Sequence, residues 1–138
     1  MARIFRILLP VSDIERATAF YGSIFAQPGQ RISPGRHYFD CEGTVLACFD
    51  PVADGDGYEA APLPEPIYFA VDDLQSMFDR TKEAGGKFSD LEIPGVGRLG
   101  EIEKRPWGED SFYVSDPFGN PLCFVSKASV FTGTTGAA

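Results

Sequence analysis

Two short apolar runs, sixty residues apart, end in the same punctuation and open onto the same kind of helix. Arg6-Ile7-Leu8-Leu9-Pro10-Val11-Ser12-Asp13-Ile14-Glu15 aligns with Pro66-Ile67-Tyr68-Phe69-Ala70-Val71-Asp72-Asp73-Leu74-Gln75. Each copy reads as a strand, a capping residue, an aspartate, an aliphatic residue and then Glu or Gln. Ser12 with Glu15 predicts a capping box, and Asp72 with Gln75 its equivalent. The first helix carries an apolar stripe at Ile14, Ala17, Phe20, Tyr21, Ile24 and Phe25; the second carries Leu74, Met77, Phe78 and Ala84. Stripes at this spacing pack on a sheet. Pro28-Gly29 and Gly85-Gly86 are the stops.

Strand patterns follow each helix. His37–Cys41 and Thr44–Phe49 flank the turn Glu42-Gly43, while Ser111–Ser115 and Leu122–Val125 flank Asp116-Pro117-Phe118-Gly119-Asn120. A third strand in each half is placed near Gln30–Ser33 and Lys87–Ser89. The chain is therefore expected to be α+β, one domain of two tandem βαβββ modules. Module one covers about residues 1–51, a Pro-, Gly- and Asp-rich linker about 52–65, module two about 66–127, and a small, polar tail about 128–138.

Composition narrows the class of partner. With 138 residues and 43% hydrophobic content the chain can bury a core. A formal charge of −8 argues against nucleic acid, which needs a basic face. No run approaches the roughly 20 apolar residues of a membrane span, and the N-terminal residues do not read as a signal peptide. Cys41, Cys48 and Cys123 lack metal-ligand spacing and are read as free buried thiols, which points to the cytoplasm. Apolar sheet edges and faces in so small a chain predict a homodimer.

The paired βαβββ plan resembles the vicinal oxygen chelate superfamily, which includes glyoxalase I, extradiol dioxygenases, fosfomycin-resistance enzymes and bleomycin-resistance proteins. The resemblance is carried by Leu9-Pro10-Val11-Ser12-Asp13 with Ala19-Phe20-Tyr21, and by Arg105-Pro106-Trp107-Gly108 followed by Asp116-Pro117-Phe118-Gly119-Asn120. It covers residues 4–127 and implies a curved, cleft-bearing sheet. It also implies, in the metal-dependent members, ligands on the first strand, on its counterpart in the second half and on the last strand. Those positions fall here on Arg6, Pro66 and Cys123, with a fourth near Ala47 or Cys48. A guanidinium has no lone pair to offer, proline has no side-chain donor, and one thiol does not make a divalent site. No metal and no cofactor are expected.

Other motifs carry little. Gly95-Val96-Gly97-Arg98-Leu99-Gly100 has the spacing of a dinucleotide fingerprint, but Pro106 and an alternating run follow it instead of a helix, so a flexible loop is expected. Asp54-Gly55-Asp56-Gly57 has Glu59 where a calcium loop needs glycine. His37, the single histidine, is read as structural or exposed before catalytic.

Strand parity selects the cleft. Ile7, Leu9 and Val11 suit a helix-packed face, which turns Arg6 and Leu8 to the cleft; by the repeat, Tyr68 points in beside Pro66. The resemblance places Ser111 and Tyr113 on the same side, with Cys123 and Val125 on the last strand and Trp107 at one end. The candidate ligand-binding residues are Arg6, Tyr68, Trp107, Ser111, Tyr113 and Cys123, an aromatic surface with a few polar tips. The function expected is metal-free binding of a small organic molecule, sequestering a drug, toxin or metabolite, with no catalytic residue assigned. The alternative is a glyoxalase-, dioxygenase- or lyase-like enzyme using Tyr113 and Arg6 as acid and electrostatic clamp. A third reading is an interaction domain with a vestigial cleft.

Overall fold

The computed structural model describes residues 1–133, and its contacts divide these residues between two compact units. Unit one is Met1–Glu65 together with Asp116–Asn120; unit two is Pro66–Ser115 with the chain from Pro121 onward. Among the described residues, no helix is long and apolar enough to cross a membrane.

Unit one runs β1 (Arg6–Pro10), α1 (Ile14–Phe25), β2 (Gln30–Ser33), β3 (Arg36–Cys41) and β4 (Thr44–Phe49). Its sheet has the order β1-β4-β3-β2, with β1 parallel to β4 and the other pairs antiparallel. The stripe of α1 is buried at Ile14, Ala17, Phe20, Tyr21 and Ile24, as its periodicity predicts. Leu9, Val11, Phe39 and Cys48 complete a core in which each is fully covered. His37 belongs to that core and not to a binding surface. Its Nδ1 accepts from Arg31 Nε at 3.2 Å, and its Nε2 faces the carbonyl of Pro28 at 2.8 Å, so the neutral ring with the proton on Nε2 satisfies both.

The helix starts differ from the expected capping boxes by one residue. Asp13 and Asp73, not Ser12 and Asp72, are the N-caps, accepting from Arg16 N at 3.1 Å and Ser76 N at 3.0 Å. Each aspartate directly precedes the first buried aliphatic residue of its helix and has the extended backbone of an N-cap, from which its carboxylate reaches the N–H three residues on. Asp13→Ala is expected to lower stability by about 1 kcal/mol, with Ser12→Ala inside about 0.5 kcal/mol, in paired urea melts. Equal losses would restore the capping box at Ser12.

Unit two repeats the plan with an insertion. It has β5 (Ile67–Val71), α2 (Leu74–Glu83), β6 (Lys87–Phe88), β7 (Glu92–Ile93), β8 (Gly97–Arg98), β9 (Glu103–Lys104), β10 (Asp110–Ser115) and β11 (Pro121–Ser126). The main sheet is β5-β11-β10-β6, with β9 added to β10; β7 and β8 form a separate hairpin. The helix-side core is an aromatic ladder. Phe69 stacks on Phe124 at 5.2 Å and Phe124 on Phe112 at 5.3 Å, while Phe78 of α2 meets Phe112 edge-on at 5.1 Å. Thr81 enters the apolar stripe of α2 because its hydroxyl bonds back to Met77 O at 2.6 Å.

Two stretches read as loose are tied down. The glycine-rich segment forms the β7–β8 hairpin, so the expectation of a flexible loop is corrected. Its glycines answer to packing: Gly97 has φ 103° with the Glu103 carboxylate against it, and a Cβ at Gly100 would run into the backbone of Ser89. Past β11, Lys127–Ser129 make a 3-10 turn; Ser129 Oγ accepts from Asp110 N at 2.9 Å, and Phe131 N donates to Glu109 Oε2 at 2.9 Å. The rest of the stretch read as a tail, residues 134–138, lies outside the described residues.

Candidate functional site

The sheet of unit two has one face on α2 and one turned away from it, and register fixes which side chains share the second face. Tyr113, Cys123 and Tyr68 stand directly opposite one another across β10, β11 and β5; Ser111, Val125 and Ala70 form the next row. Residues paired this way project to the same side. The parity expected for this half is thus the parity found.

Exposure then sorts the row. Tyr68 is 58% exposed and Trp107 41%, whereas Ser111 and Cys123 are almost fully buried. Tyr113 is half-buried, its ring 6.4 Å from that of Tyr68 and edge-on to it. Burial first, then Cys123 and Tyr68, push the Tyr113 phenol well above its ordinary value. Burial also pushes the Cys123 thiol up to about 11, against the lowering effect of hydrogen bonds from Ser111 and Tyr113. At neutral pH both groups hold their protons: they can donate, and neither is a base or a thiolate nucleophile.

Beside this row lies an open cavity of about 370 Å³, within the size range of small-molecule pockets. Tyr68, Ala70 and Val125 supply its floor from the strands, and Trp107, Glu109, Val130 and Phe131 its walls. Of the six residues expected at the site, Tyr68 and Trp107 line this cavity. Tyr113 adjoins Tyr68, and Ser111 and Cys123 lie buried in the neighbouring row. Arg6 belongs to unit one, on β1, exposed, with its guanidinium carbon 5.2 Å from the Phe5 ring and no ion pair among the described residues.

Glu109, Val130, Phe131 and Arg105 are the positions that sequence reasoning passed over. Glu109 directly precedes β10 (Asp110–Ser115), and extending the alternation of 111 and 113 back by two residues puts it on the side of Ser111 and Tyr113. Its carboxylate accepts from Trp107 Nε1 at 2.8 Å and from Phe131 N at 2.9 Å, so it fixes both cavity walls. Arg105 is 2% exposed and acts from beneath. Its Nε donates to Ser111 Oγ at 3.0 Å, and its terminal nitrogens donate to the carbonyls of Val96, Arg98, Glu101 and Ser111 at 2.9–3.2 Å. Its guanidinium carbon also sits 5.4 Å from the Tyr113 ring. The inserted hairpin and the Tyr113 row therefore share one support.

The donor set does not fit a divalent metal. Arg6 has no lone pair, Pro66 has no side-chain donor, and Cys123 stands as a lone buried thiol. Among the described residues, no three His, Cys, Asp or Glu side chains form a group able to hold a metal.

Comparison with known proteins agrees with this architecture. The family model described as the Glyoxalase/Bleomycin resistance protein/Dioxygenase superfamily matches residues 3–124. Among solved structures, a glyoxalase-related enzyme from Fulvimarina pelagi superposes with a TM-score of 0.71 at 21% identity, covering 99% of this chain and 96% of that one. A glyoxalase/bleomycin resistance protein from Albidiferax ferrireducens T118 gives 0.68 at 16% identity, covering 88% and 95%. A lactoylglutathione lyase from Agrobacterium tumefaciens gives 0.66 at 20% identity, covering 95% and 98%. No curated protein matches the sequence. At these identities the solved structures speak to fold alone. The family match spans nearly the whole chain, and with the two βαβββ modules it shows that the chain belongs to the glyoxalase/bleomycin resistance protein/dioxygenase superfamily.

Proposed function

We propose that the protein binds a small organic molecule without a metal, sequestering a drug, toxin or metabolite. The observation that carries the reading is the aromatic cavity of about 370 Å³ on unit two, in a chain whose metal-ligand positions hold Arg6, Pro66 and Cys123. Such a cavity offers apolar contact area with a few fixed polar atoms, as ligand pockets generally do. A homodimer belongs to the same reading, with a second copy covering exposed apolar residues such as Phe5 and Leu8.

Trp107 is the single tryptophan, so its fluorescence reports directly on the cavity. A panel of flat organic compounds should give at least one saturable change that persists in excess chelator. Tyr68→Ala should weaken that binding by about 1–3 kcal/mol, while the melting temperature holds because the ring is largely exposed. Arg6→Ala, at an exposed position with no ion pair among the described residues, should cost about 0.5 kcal/mol of stability or less. Binding that appears only with one divalent ion per chain would turn the assignment toward the metal-dependent enzymes of the superfamily.

A further inference from the structure

The cavity contains an unusual charge. Glu109 is 9% exposed, and both partners of its carboxylate, the Trp107 indole N–H and the Phe131 backbone N–H, are neutral. No Lys or Arg among the described residues pairs with it. Arg105, four residues away, spends all five of its N–H groups on Ser111 and on backbone carbonyls from 96 to 101. A carboxylate kept from water without a counter-charge is costly, and two neutral hydrogen bonds offset only part of that cost. Each carboxylate oxygen can accept more than one hydrogen bond, so room remains for a charged donor.

The surroundings favour one kind of donor. Tyr68, Trp107 and Phe131 line the same cavity, and aromatic faces attract cations where water is partly excluded. The chain's net charge of −8 raises the local concentration of cations further. We infer that the unit-two cavity selects an organic cation, an ammonium or amidinium group on a flat apolar body, with Glu109 as its counter-charge. This inference rests on the small-molecule-binding reading and adds the sign of the ligand's charge. The competing role for Glu109 is a clasp that only holds the indole and the chain at Phe131, which gives no charge preference.

Three probes of matched shape separate the two roles: 2-phenylethylammonium, 2-phenylethanol and 3-phenylpropionate, titrated against Trp107 fluorescence at pH 7. The ammonium should bind about tenfold more tightly than the alcohol, and the propionate least of all. In Glu109→Gln, with the fold checked by circular dichroism, the ammonium should fall to the alcohol's affinity. The wild-type ranking is decisive even if that variant unfolds. If the alcohol binds as tightly as the ammonium, the charge selection is overturned while small-molecule binding stands. If no probe and no compound of the wider panel gives a saturable change, both readings fall together.

Discussion

Replacing Arg105 with methionine is expected to lower stability by about 3–5 kcal/mol, a large share of what a domain this size holds in total. Methionine keeps the apolar stem and fills much of the volume, so the loss isolates the guanidinium. Five N–H groups are matched by five acceptors at 2.9–3.2 Å, four of them carbonyls. Carbonyls stranded inside the fold lose hydrogen bonds worth about 1 kcal/mol each and more where desolvation is complete. The ion pair contributes less: Glu103 lies 3.6 Å away with 38% of its side chain exposed, so Glu103→Gln should cost about 1 kcal/mol or less. Arg105→Lys should recover little, because an ammonium has three donors and no plane to spread them over the hairpin and β10. Urea denaturation of the three variants gives the ranking. A loss under about 1 kcal/mol for Arg105→Met would mean that the hairpin holds itself, and that Arg105 is a passenger.

That arginine shows where sequence reading stops. Period and alternation made the helix stripes and the six long strands legible, since burial of one face leaves a mark every 3.6 or every 2 residues. Tyr21 lies on the stripe that the first helix is expected to pack on a sheet, and it is fully buried. Strands of two residues, such as those at 92–93, 97–98 and 103–104, are too short to carry a period, so the hairpin has the sequence pattern of a loop. Charged residues are read outward by default, so nothing in Lys104-Arg105-Pro106 announces that the arginine is the buried one. At the site, parity found the tyrosine row but not its depth: Ser111 and Cys123 face the right way and lie beneath it. Phe131 was lost because two apolar residues in a small, polar stretch look like a tail until their partner, Glu109, is placed.

Asp116 is expected to be the second large liability, with Asp116→Ala costing about 3–5 kcal/mol. The Asp-Pro-Phe-Gly-Asn turn that carries the family resemblance is, in unit one, a buried polar knot. One oxygen of Asp116 accepts from Phe118 N at 2.9 Å and Asn120 N at 2.8 Å; the other accepts from Asn120 Nδ2 at 2.9 Å and the Tyr21 hydroxyl at 2.6 Å. Asn120 extends the knot to Pro10 O at 2.6 Å and, through its own oxygen, to Leu63 N at 2.8 Å. Truncation to alanine leaves four donors without their shared acceptor at a fully buried position, which is why the cost exceeds that of one hydrogen bond. Tyr21→Phe removes one donor and leaves the rest, so about 1.5–3 kcal/mol is expected there. The pH dependence gives an independent check. Burial first, and the Asp116 charge second, push the Tyr21 phenol well above its ordinary 10.0, so the folded state keeps a proton that the unfolded chain releases. That contribution is complete below pH 10 and is lost as pH rises beyond it, so wild type should lose more stability between pH 9 and 11 than Tyr21→Phe does. Parallel pH profiles for the two proteins, together with a small loss in Asp116→Ala, would show that the turn is held by its backbone and not by the knot.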